Sequence, residues 1–187
     1  MTASGPLWAD ALALLRGWVP PDDEQEQVRR TYVAHLVAEP DGLRRECHPD
    51  HITASTLVVS ADHTQVLLTL HAKANAWFQL GGHCEPADAT LAGAALREAV
   101  EESGLRGLAL DPSPVQLNTH DVPFCGKRPG VRHLDVRFVA VAPEDGQHAV
   151  SAESLDLRWW PADRLPTTEP SLCALVDLAR RRLVATP

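Results

Sequence analysis

The segment from Gly81 to Leu105, GGHCEPADATLAGAALREAVEESGL, constrains this chain more than any other part of its sequence. It begins with a glycine pair, passes through a short polar turn and continues as one helical pattern. Asp88 or Thr90 can provide the N-cap oxygen that accepts hydrogen bonds from the first amides of the helix. Gly104 is placed to end the helix in a left-handed C-cap conformation. The segment therefore predicts a glycine loop followed by a capped helix.

Three carboxylates, those of Glu98, Glu101 and Glu102, lie near the C-terminal end of this helix. At about 100° per residue, positions i, i+3 and i+4 share one helix face. Like charges at this spacing destabilise an isolated helix, and the negative end of the helix dipole adds to the cost. We therefore expect a cation to bind there. Hard oxygen ligands in this number suit Mg²⁺ or Mn²⁺, which proteins usually share with substrate phosphates.

The same segment resembles the Nudix box, Gly-x5-Glu-x7-Arg-Glu-hydrophobic-x-Glu-Glu-x-Gly-hydrophobic. Its second half is matched position for position by REAVEESGL at residues 97–105. Its first half differs, because Gly82 is followed after five residues by Asp88 instead of Glu, and Arg97 comes one residue late. The phrases HITAS, FQLGGHCEP, HLDVRF and ESLDLRWWP, with the loop from His71 to Trp77, resemble a recurrent bacterial Nudix subgroup of loosely defined specificity.

This resemblance implies an enzyme, a Nudix pyrophosphohydrolase that uses Mg²⁺ or Mn²⁺. The implied substrate is a nucleoside diphosphate linked to another group, which water hydrolyses by attack on one phosphorus. The carbonyl of Gly81 and the carboxylates of Glu98, Glu101 and Glu102 are the implied metal ligands. Arg97 is implied to orient a glutamate, and Glu98 is the preferred general base by its match to the motif.

Many members of the family take one further carboxylate ligand from beyond the box. Glu153 is the preferred candidate, because a loop that lies just before a strand can reach across to the helix. Asp135 and Asp121 are the alternatives. An ordinary solvated loop glutamate is an equal interpretation of Glu153.

Substrate contacts are less constrained by the sequence. Lys73 and Arg137 are candidates for contacts with phosphate. An ordinary charged surface side chain is an equal interpretation of each. Trp77 is a candidate for stacking on a base, whereas Trp8, Trp18 and Trp160 are expected in the core or at an interface.

Six histidines fall in or near the loops expected around the site: His48, His51, His71, His83, His120 and His133. No pair has the H-E-x-x-H spacing of zinc hydrolases, so ordinary hydrogen-bonding histidines are expected instead of a metal site. The four cysteines form no C-x-x-C pair, and their spacing predicts neither a zinc site nor a disulfide framework. Free thiols are therefore expected.

The composition limits the range of partners. The chain has 187 residues and a formal net charge of -8, with no basic run beyond residues 180–182. Long nucleic acid is not expected to bind, because it requires a positively charged face. A small nucleotide-like diphosphate can still bind despite the negative net charge, because a bound metal reverses the local charge of the site. No apolar run predicts a signal peptide or a membrane span, which favours a cytoplasmic location. Family precedent and extra N-terminal helices favour a homodimer.

The predicted elements indicate an α/β fold. Helical spacing over residues 7–18 and a second helix begun by Asp22 and Asp23 predict an N-terminal helical extension at 1–45, packed on a main domain at 46–187. Its role as a lid, a packing layer or a dimer surface is left open. Strands are expected at residues 53–60, 65–70, 115–119, 134–141 and 156–160, with a closing helix at 172–183. The Nudix resemblance sharpens this pattern to an α/β/α sandwich with a mixed β-sheet.

Two other functions compete with the hydrolase. A Nudix-fold regulatory module would bind a nucleotide without turnover, and the shifted first half of the box is the feature that favours it. The intact Arg97–Glu102 segment favours the enzyme. An isopentenyl diphosphate isomerase-like enzyme would need a dedicated cysteine and glutamate pair, which Cys84 in the box loop does not obviously supply.

Overall fold

The computed structural model describes residues 5–47, 49–123, 125, 130–146, 148–149 and 154–185. Within these ranges the elements follow in the order α1 (Pro6–Gly17), α2 (Asp23–Ala38), β1 (Asp50–Val59), β2 (Gln65–His71), β3 (Ala76–Phe78), β4 (Leu80–His83), α3 (Leu91–Ser103), β5 (Ala109–Asp121), β6 (Arg132–Val141), β7 (Ser154–Pro161) and α4 (Pro170–Ala185). The predicted α/β class is confirmed. One prediction is wrong in detail, because the segment from His71 to Trp77, expected as a loop, contains the start of β3.

The strands form one mixed sheet. Its main path is β3-β2-β1-β6-β5, with β4 paired to β1 and β7 paired to β2. The pair of β1 and β6 is parallel, whereas the other strand pairs are antiparallel. The parallel register places His51 beside His133 and Ser55 beside Arg137. Residues that are far apart in the sequence therefore meet on adjacent central strands.

Helices cover both faces of the sheet, as the sandwich prediction requires. On one face, Ile52 and Ala54 of β1 pack with Ala94 and Ala95 of α3. On the other face, Leu57 of β1 packs in a cluster with the apolar side of α4. Successive residues of a strand point to opposite faces, so odd-numbered residues of β1 lie on the α4 face. This alternation decides which side chains can meet near the predicted site.

The N-terminal helices share a hydrophobic core with the sheet. Leu15 of α1 and Tyr32 and Leu36 of α2 are fully buried in the same cluster as Ile52. Asp22 begins α2 as its N-cap, accepting a hydrogen bond from the amide of Gln25. Burial of these side chains stabilises the arrangement by about 1.5–3 kcal/mol for each large apolar group.

Among the described residues, no helix has the length and apolar character needed to cross a membrane.

The helix of the box is capped at both ends. Thr90, one of the two N-cap candidates, accepts a hydrogen bond from the amide of Gly93. Gly104 adopts φ 69°, the left-handed conformation in which glycine avoids the steric cost of a side chain. Asp88 is not the N-cap and instead binds Arg97. Because Thr90 is the N-cap, the carboxylate of Asp88 can pair with Arg97.

Candidate active site and an adjacent histidine cluster

The glycine pair lies directly against β1 and α3. A Cβ atom at Gly81 would collide with the Cβ of Ser55, so no larger residue fits between β4 and β1. A Cβ at Gly82 would lie 2.8 Å from the carboxylate of Glu98. The amide of Gly81 donates a hydrogen bond of 3.0 Å to Oε2 of Glu102. Glycine at both positions thus allows two helix carboxylates to approach the backbone of the loop.

Arg97 joins the loop to the helix. Its Nε and Nη2 donate hydrogen bonds of 3.0 Å to the carboxylate of Asp88, and Nη2 also binds the carbonyl of His83. Its Nη1 contacts both Glu98 and Glu101 at 3.0 Å. A guanidinium offers five N–H donors in a fixed plane, which suits this set of acceptors. The unusual spacing in the first half of the box is therefore accommodated by an Asp88–Arg97 ion pair.

The three helix carboxylates differ in exposure and partners. The side chain of Glu98 is 16% exposed, whereas that of Glu101 is 59% exposed. Burial raises the pKa of Glu98, and the hydrogen bond and charge of Arg97 oppose that rise. Glu98 and Glu102 face the glycine pair, and Glu101 lies toward solvent. Within the described residues, these glutamates do not form a group whose donor atoms all lie within 4.8 Å of one another.

The other residues predicted for the site are spread over several elements. Glu153 lies outside the described residues. Lys73 is exposed in the turn between β2 and β3. Trp77 on β3 is half-buried and packs edge to face on Trp160 of β7, with ring centroids 5.2 Å apart. Asp121 is exposed at the end of β5. The roles proposed for these residues stay predictions.

Arg137 is not a surface cation. It lies on β6 with a side chain that is 4% exposed, and its Nε binds the carboxylate of Asp135 at 2.9 Å. Its Nη1 and Nη2 donate to Gln116 and Asn118. A buried charge requires such partners, because removing it from water is costly. Arg137 therefore forms a buried ion pair, so the expectation of simple surface charge is wrong, and its contact with phosphate stays a prediction.

Asp135, an alternative metal ligand from the sequence, belongs to the same buried network. Its carboxylate accepts hydrogen bonds from Thr53, Ser55 and Gln79 in addition to Arg137. Burial would raise the pKa of Asp135, but the charges of Arg137 and His120 and the hydrogen bonds from Ser55 and Arg137 outweigh it and hold the pKa below its usual range. The carboxylate is thus ionised and its lone pairs are used within the protein.

A cluster of three histidines and one cysteine lies at the edge of this network. We call it the histidine cluster; it consists of His51, His83, Cys125 and His133, with one ligand atom of each within 4.8 Å of all the others. The Sγ of Cys125 lies 3.4 Å from Nε2 of His83 and 3.8 Å from Nε2 of His51. The three imidazole ring centroids are 4.9 to 5.1 Å apart.

Burial disfavours the charged form of each imidazole in the histidine cluster. It lowers the pKa of His51, that of His83 to about 4 and that of His133 to about 3, and the neighbouring histidines lower the latter two further. The Nδ1 of His51 lies 3.2 Å from the carbonyl of Cys47. The Nε2 of His133 is buried and has no hydrogen-bond partner among the described residues.

The sequence did not predict this cluster. Its four members are far apart along the chain and have no spacing typical of metal ligands, so the sequence predicts ordinary hydrogen-bonding histidines. His51 and His133 meet because β1 and β6 pair in parallel, and His83 lies beside Thr53 because β4 pairs with β1. The density of histidines around the predicted loops was the one local signal for it.

Known proteins agree with this fold. The family model of the NUDIX domain matches residues 49–173. A NUDIX-family hydrolase structure from Clostridium perfringens is 24% identical, with a TM-score of 0.56, covering 71% of this chain and 97% of that chain. The E. coli dihydroneopterin triphosphate pyrophosphohydrolase is 18% identical, with a TM-score of 0.58, covering 70% of this chain and 95% of that chain.

The NUDIX domain of Shewanella oneidensis NrtR, solved in complex with ADP ribose, is 20% identical. Its TM-score is 0.54, and the match covers 71% of this chain and 87% of that chain. No curated protein sequence matches the chain. The three structural matches support the sandwich fold, and the family match extends over more than half of the chain. The chain therefore belongs to the NUDIX family.

Proposed function

We propose that the protein hydrolyses the diphosphate linkage of a nucleoside diphosphate joined to another group, with Mg²⁺ as cofactor and Mn²⁺ as the alternative. One observation carries this proposal: the carboxylates of Glu98 and Glu102 lie directly against the glycine pair. Loop and helix thereby bring two carboxylates beside the backbone of the glycine pair. Such a donor set suits hard divalent cations that also bind substrate phosphates.

The donor chemistry of these residues fits a divalent cation of this class. The carbonyl of Gly81 and the carboxylates of Glu98, Glu101 and Glu102 would hold it. Placing three carboxylates at the C-terminal end of α3 is otherwise unfavourable, because the helix dipole and mutual repulsion both oppose it. When bound, the cation supplies charge neutralisation on the phosphoryl group and lowers the pKa of a nearby water.

The protein side chains have positioning and proton-transfer roles in this proposal. Arg97 holds the loop to the helix through Asp88 and the carbonyl of His83, so the glycine pair keeps its place. Glu98 is the proposed general base that accepts the proton of the attacking water. Phosphoryl transfer depends mostly on such positioning and electrostatics.

The regulatory-module alternative loses its main support. It rested on the shifted first half of the box, where Asp88 replaces the expected glutamate. In the structure, Asp88 binds both Nε and Nη2 of Arg97 and accepts a hydrogen bond from the amide of Glu85. The loop is therefore held to the helix despite the shift. We favour turnover over ligand sensing for this reason.

The test is product release from a panel of nucleoside triphosphates, dinucleoside polyphosphates and nucleotide sugars, with and without Mg²⁺. Glu102→Gln removes a proposed ligand with little change in shape, and Glu24→Gln on the exposed surface of α2 is the matched control. We expect turnover that requires Mg²⁺, is lost in Glu102→Gln and is kept in Glu24→Gln. Turnover that survives Glu102→Gln would contradict the metal site. Tight binding of a panel member without turnover would favour the regulatory module.

Further assignments remain part of the proposal. Glu153 is the candidate extra ligand, and unchanged turnover of Glu153→Gln at limiting Mg²⁺ would remove it. Lys73 and Trp77 are the candidate substrate contacts, and an increase in KM on their replacement by Ala would support them. A homodimer and a cytoplasmic location are also proposed, the first to be checked by sedimentation equilibrium.

A further inference from the structure

We propose that His51, His83, Cys125 and His133 bind a single Zn²⁺ ion, at a site separate from the carboxylates of α3. The four side chains come from three strands and one loop, and they converge on one point. The inference does not rest on the proposed function. It rests on the distances, the unpartnered nitrogen and the donor chemistry of the histidine cluster.

The distances match tetrahedral coordination. Zn–S bonds of about 2.3 Å and Zn–N bonds of about 2.0–2.1 Å place neighbouring ligand atoms roughly 3.3–3.6 Å apart in a tetrahedron. The Sγ of Cys125 lies 3.4 Å from Nε2 of His83 and 3.8 Å from Nε2 of His51. All four donor atoms lie within 4.8 Å of one another. Shifts of side chains by about an ångström are therefore enough to reach the geometry.

The imidazoles surround a common centre. Their centroids form a nearly equilateral triangle with sides of 4.9, 5.0 and 5.1 Å, which is not the geometry of one stacked pair. The Nδ1 of His51 lies against the carbonyl of Cys47, so this nitrogen carries the proton and Nε2 carries the free lone pair. A backbone carbonyl in this role is the usual outer-shell partner of a histidine that binds a metal.

An unpartnered nitrogen provides independent support. The Nε2 of His133 is buried, and no described residue forms a hydrogen bond with it. Buried polar atoms are nearly always paired, because an unmade hydrogen bond is costly. A coordinated metal would satisfy the lone pair of His133 directly.

The donors select the class of metal. Three imidazoles and one thiolate form a borderline-soft set, which suits Zn²⁺ and not Mg²⁺. Four protein ligands fill a tetrahedral site, as in structural rather than catalytic zinc centres. His51 lies on the sheet face opposite α3, because it shares the odd-numbered face of β1 with Leu57. Binding releases the thiol proton of Cys125 to solvent, and no other bond changes.

A zinc ion there would connect to the candidate active site through the backbone. His83 follows Gly82, and its carbonyl accepts the hydrogen bond from Nη2 of Arg97. The ion would link the end of β4 to β1, β6 and the loop that contains Cys125. It would thereby hold the glycine pair from the face opposite the carboxylates. We expect a structural role in which zinc raises the stability of the loop without entering the reaction.

The first experiment measures metal content. The full chain, freed of any polyhistidine tag, is treated with a strong chelator, reloaded with Zn²⁺ in excess Mg²⁺, desalted and analysed by mass spectrometry of the metals. We expect one tightly held zinc per chain, and a higher melting temperature than for the chelated protein. Wild-type protein that retains no zinc and gains no thermal stability from it would overturn the proposal.

The second experiment identifies the ligands with Co²⁺ as a spectroscopic substitute. Wild-type protein should show visible bands of tetrahedral cobalt and a near-ultraviolet charge-transfer band from the thiolate. Cys125→Ser should lose the charge-transfer band and bind zinc at least about 10-fold more weakly. Cys173→Ser is the matched control, because Cys173 binds the carbonyl of Thr167 instead. Loss of the charge-transfer band in Cys173→Ser alone would overturn the assignment.

His120 provides a sharper control within the same region. Its ring lies 5.5 Å from that of His133, but it does not belong to the ligand group. We expect His120→Ala to keep one zinc per chain and the wild-type cobalt spectrum, whereas His133→Ala loses both properties. Far-ultraviolet circular dichroism checks that each variant is folded. If His133→Ala keeps the zinc and His120→Ala loses it, the proposed ligand set is wrong.

Discussion

The ion pair of Asp88 and Arg97 can be weakened with little change in shape by replacing Asp88 with Asn. The carboxylate accepts two hydrogen bonds of 3.0 Å from the guanidinium, and only 7% of the Asp88 side chain and 21% of the Arg97 side chain are exposed. Asn keeps one acceptor oxygen, but its amide nitrogen then faces a donor of the guanidinium. One strong hydrogen bond and the charge attraction are lost together.

Removing one partner of a buried ion pair costs about 3–5 kcal/mol. Arg97 keeps its hydrogen bonds to Glu98, Glu101 and the carbonyl of His83, so its charge is not left without partners. We therefore expect a smaller loss of unfolding free energy, about 2 kcal/mol, within the range for hydrogen bonds to charged groups. For a chain of this size that corresponds to a decrease of roughly 4–8 °C in Tm.

The loss of unfolding free energy in Asp88→Asn should depend on pH. Burial raises the pKa of Asp88, but the hydrogen bonds and charge of Arg97, with the amide of Glu85, outweigh it and hold the pKa below its usual range. A carboxyl group whose pKa is lower in the folded state stabilises the protein above its unfolded pKa of about 3.9, and this stabilisation is lost as pH falls through the folded pKa. Wild type and Asp88→Asn should therefore converge in stability as the pH falls below about 4.

Urea unfolding followed by circular dichroism measures the loss of unfolding free energy at neutral pH. The same measurement at steps of lower pH gives its pH dependence. Glu85→Gln is the matched control, because Glu85 lies 3.9 Å from Nη1 of the same arginine with a side chain that is 60% exposed. Its effect should stay within about 0.5 kcal/mol. Equal losses in Asp88→Asn and Glu85→Gln, or a loss that persists unchanged in acid, would refute the reasoning.

Three further substitutions and one removal test other parts of the structure. Gly82→Ala places a methyl group 2.8 Å from the Glu98 carboxylate and should lower kcat about 10- to 100-fold in steady-state assays, with melting temperature as the control. Asp135→Asn leaves a buried arginine without its charge partner and should cost about 3–5 kcal/mol in urea unfolding. Leu36→Ala should cost about 2–5 kcal/mol, against about 0.5 kcal/mol or less for the exposed neighbour in Val37→Ala. Chelation of Mg²⁺ should abolish turnover and its readdition should restore it, with kcat as the measurement.

The box segment was the most predictable part of the chain because its signals are local. Helical spacing, a hydroxyl at Thr90 and a glycine at Gly104 act within a few residues of the elements that they begin and end. The strand at residues 134–141 was also predicted, since a strand pattern needs no tertiary information. The strand after the box was predicted too short, because β5 runs from Ala109 to Asp121 with a break in register between Asp111 and Gln116.

The substrate-binding predictions depended on exposure, which the sequence does not report directly. Arg137 alternates with apolar residues on β6 and looks like an exposed charge. It is buried because the α4 face of the sheet carries Asp135, Gln116 and Asn118 at positions that satisfy its guanidinium. Those partners lie on two strands, and only their pairing brings them within hydrogen-bond distance.

The sequence by itself determined the family, the α/β class and the helix that presents Glu98, Glu101 and Glu102. These features depend on spacing along one segment, where the geometry of the helix places residues predictably. Tertiary structure alone decided that Asp88 binds Arg97, that Arg137 is buried and that three histidines meet Cys125. Each of these contacts joins segments that strand pairing or loop packing brings together. Their distances arise from the packing of the whole chain, which no local pattern encodes.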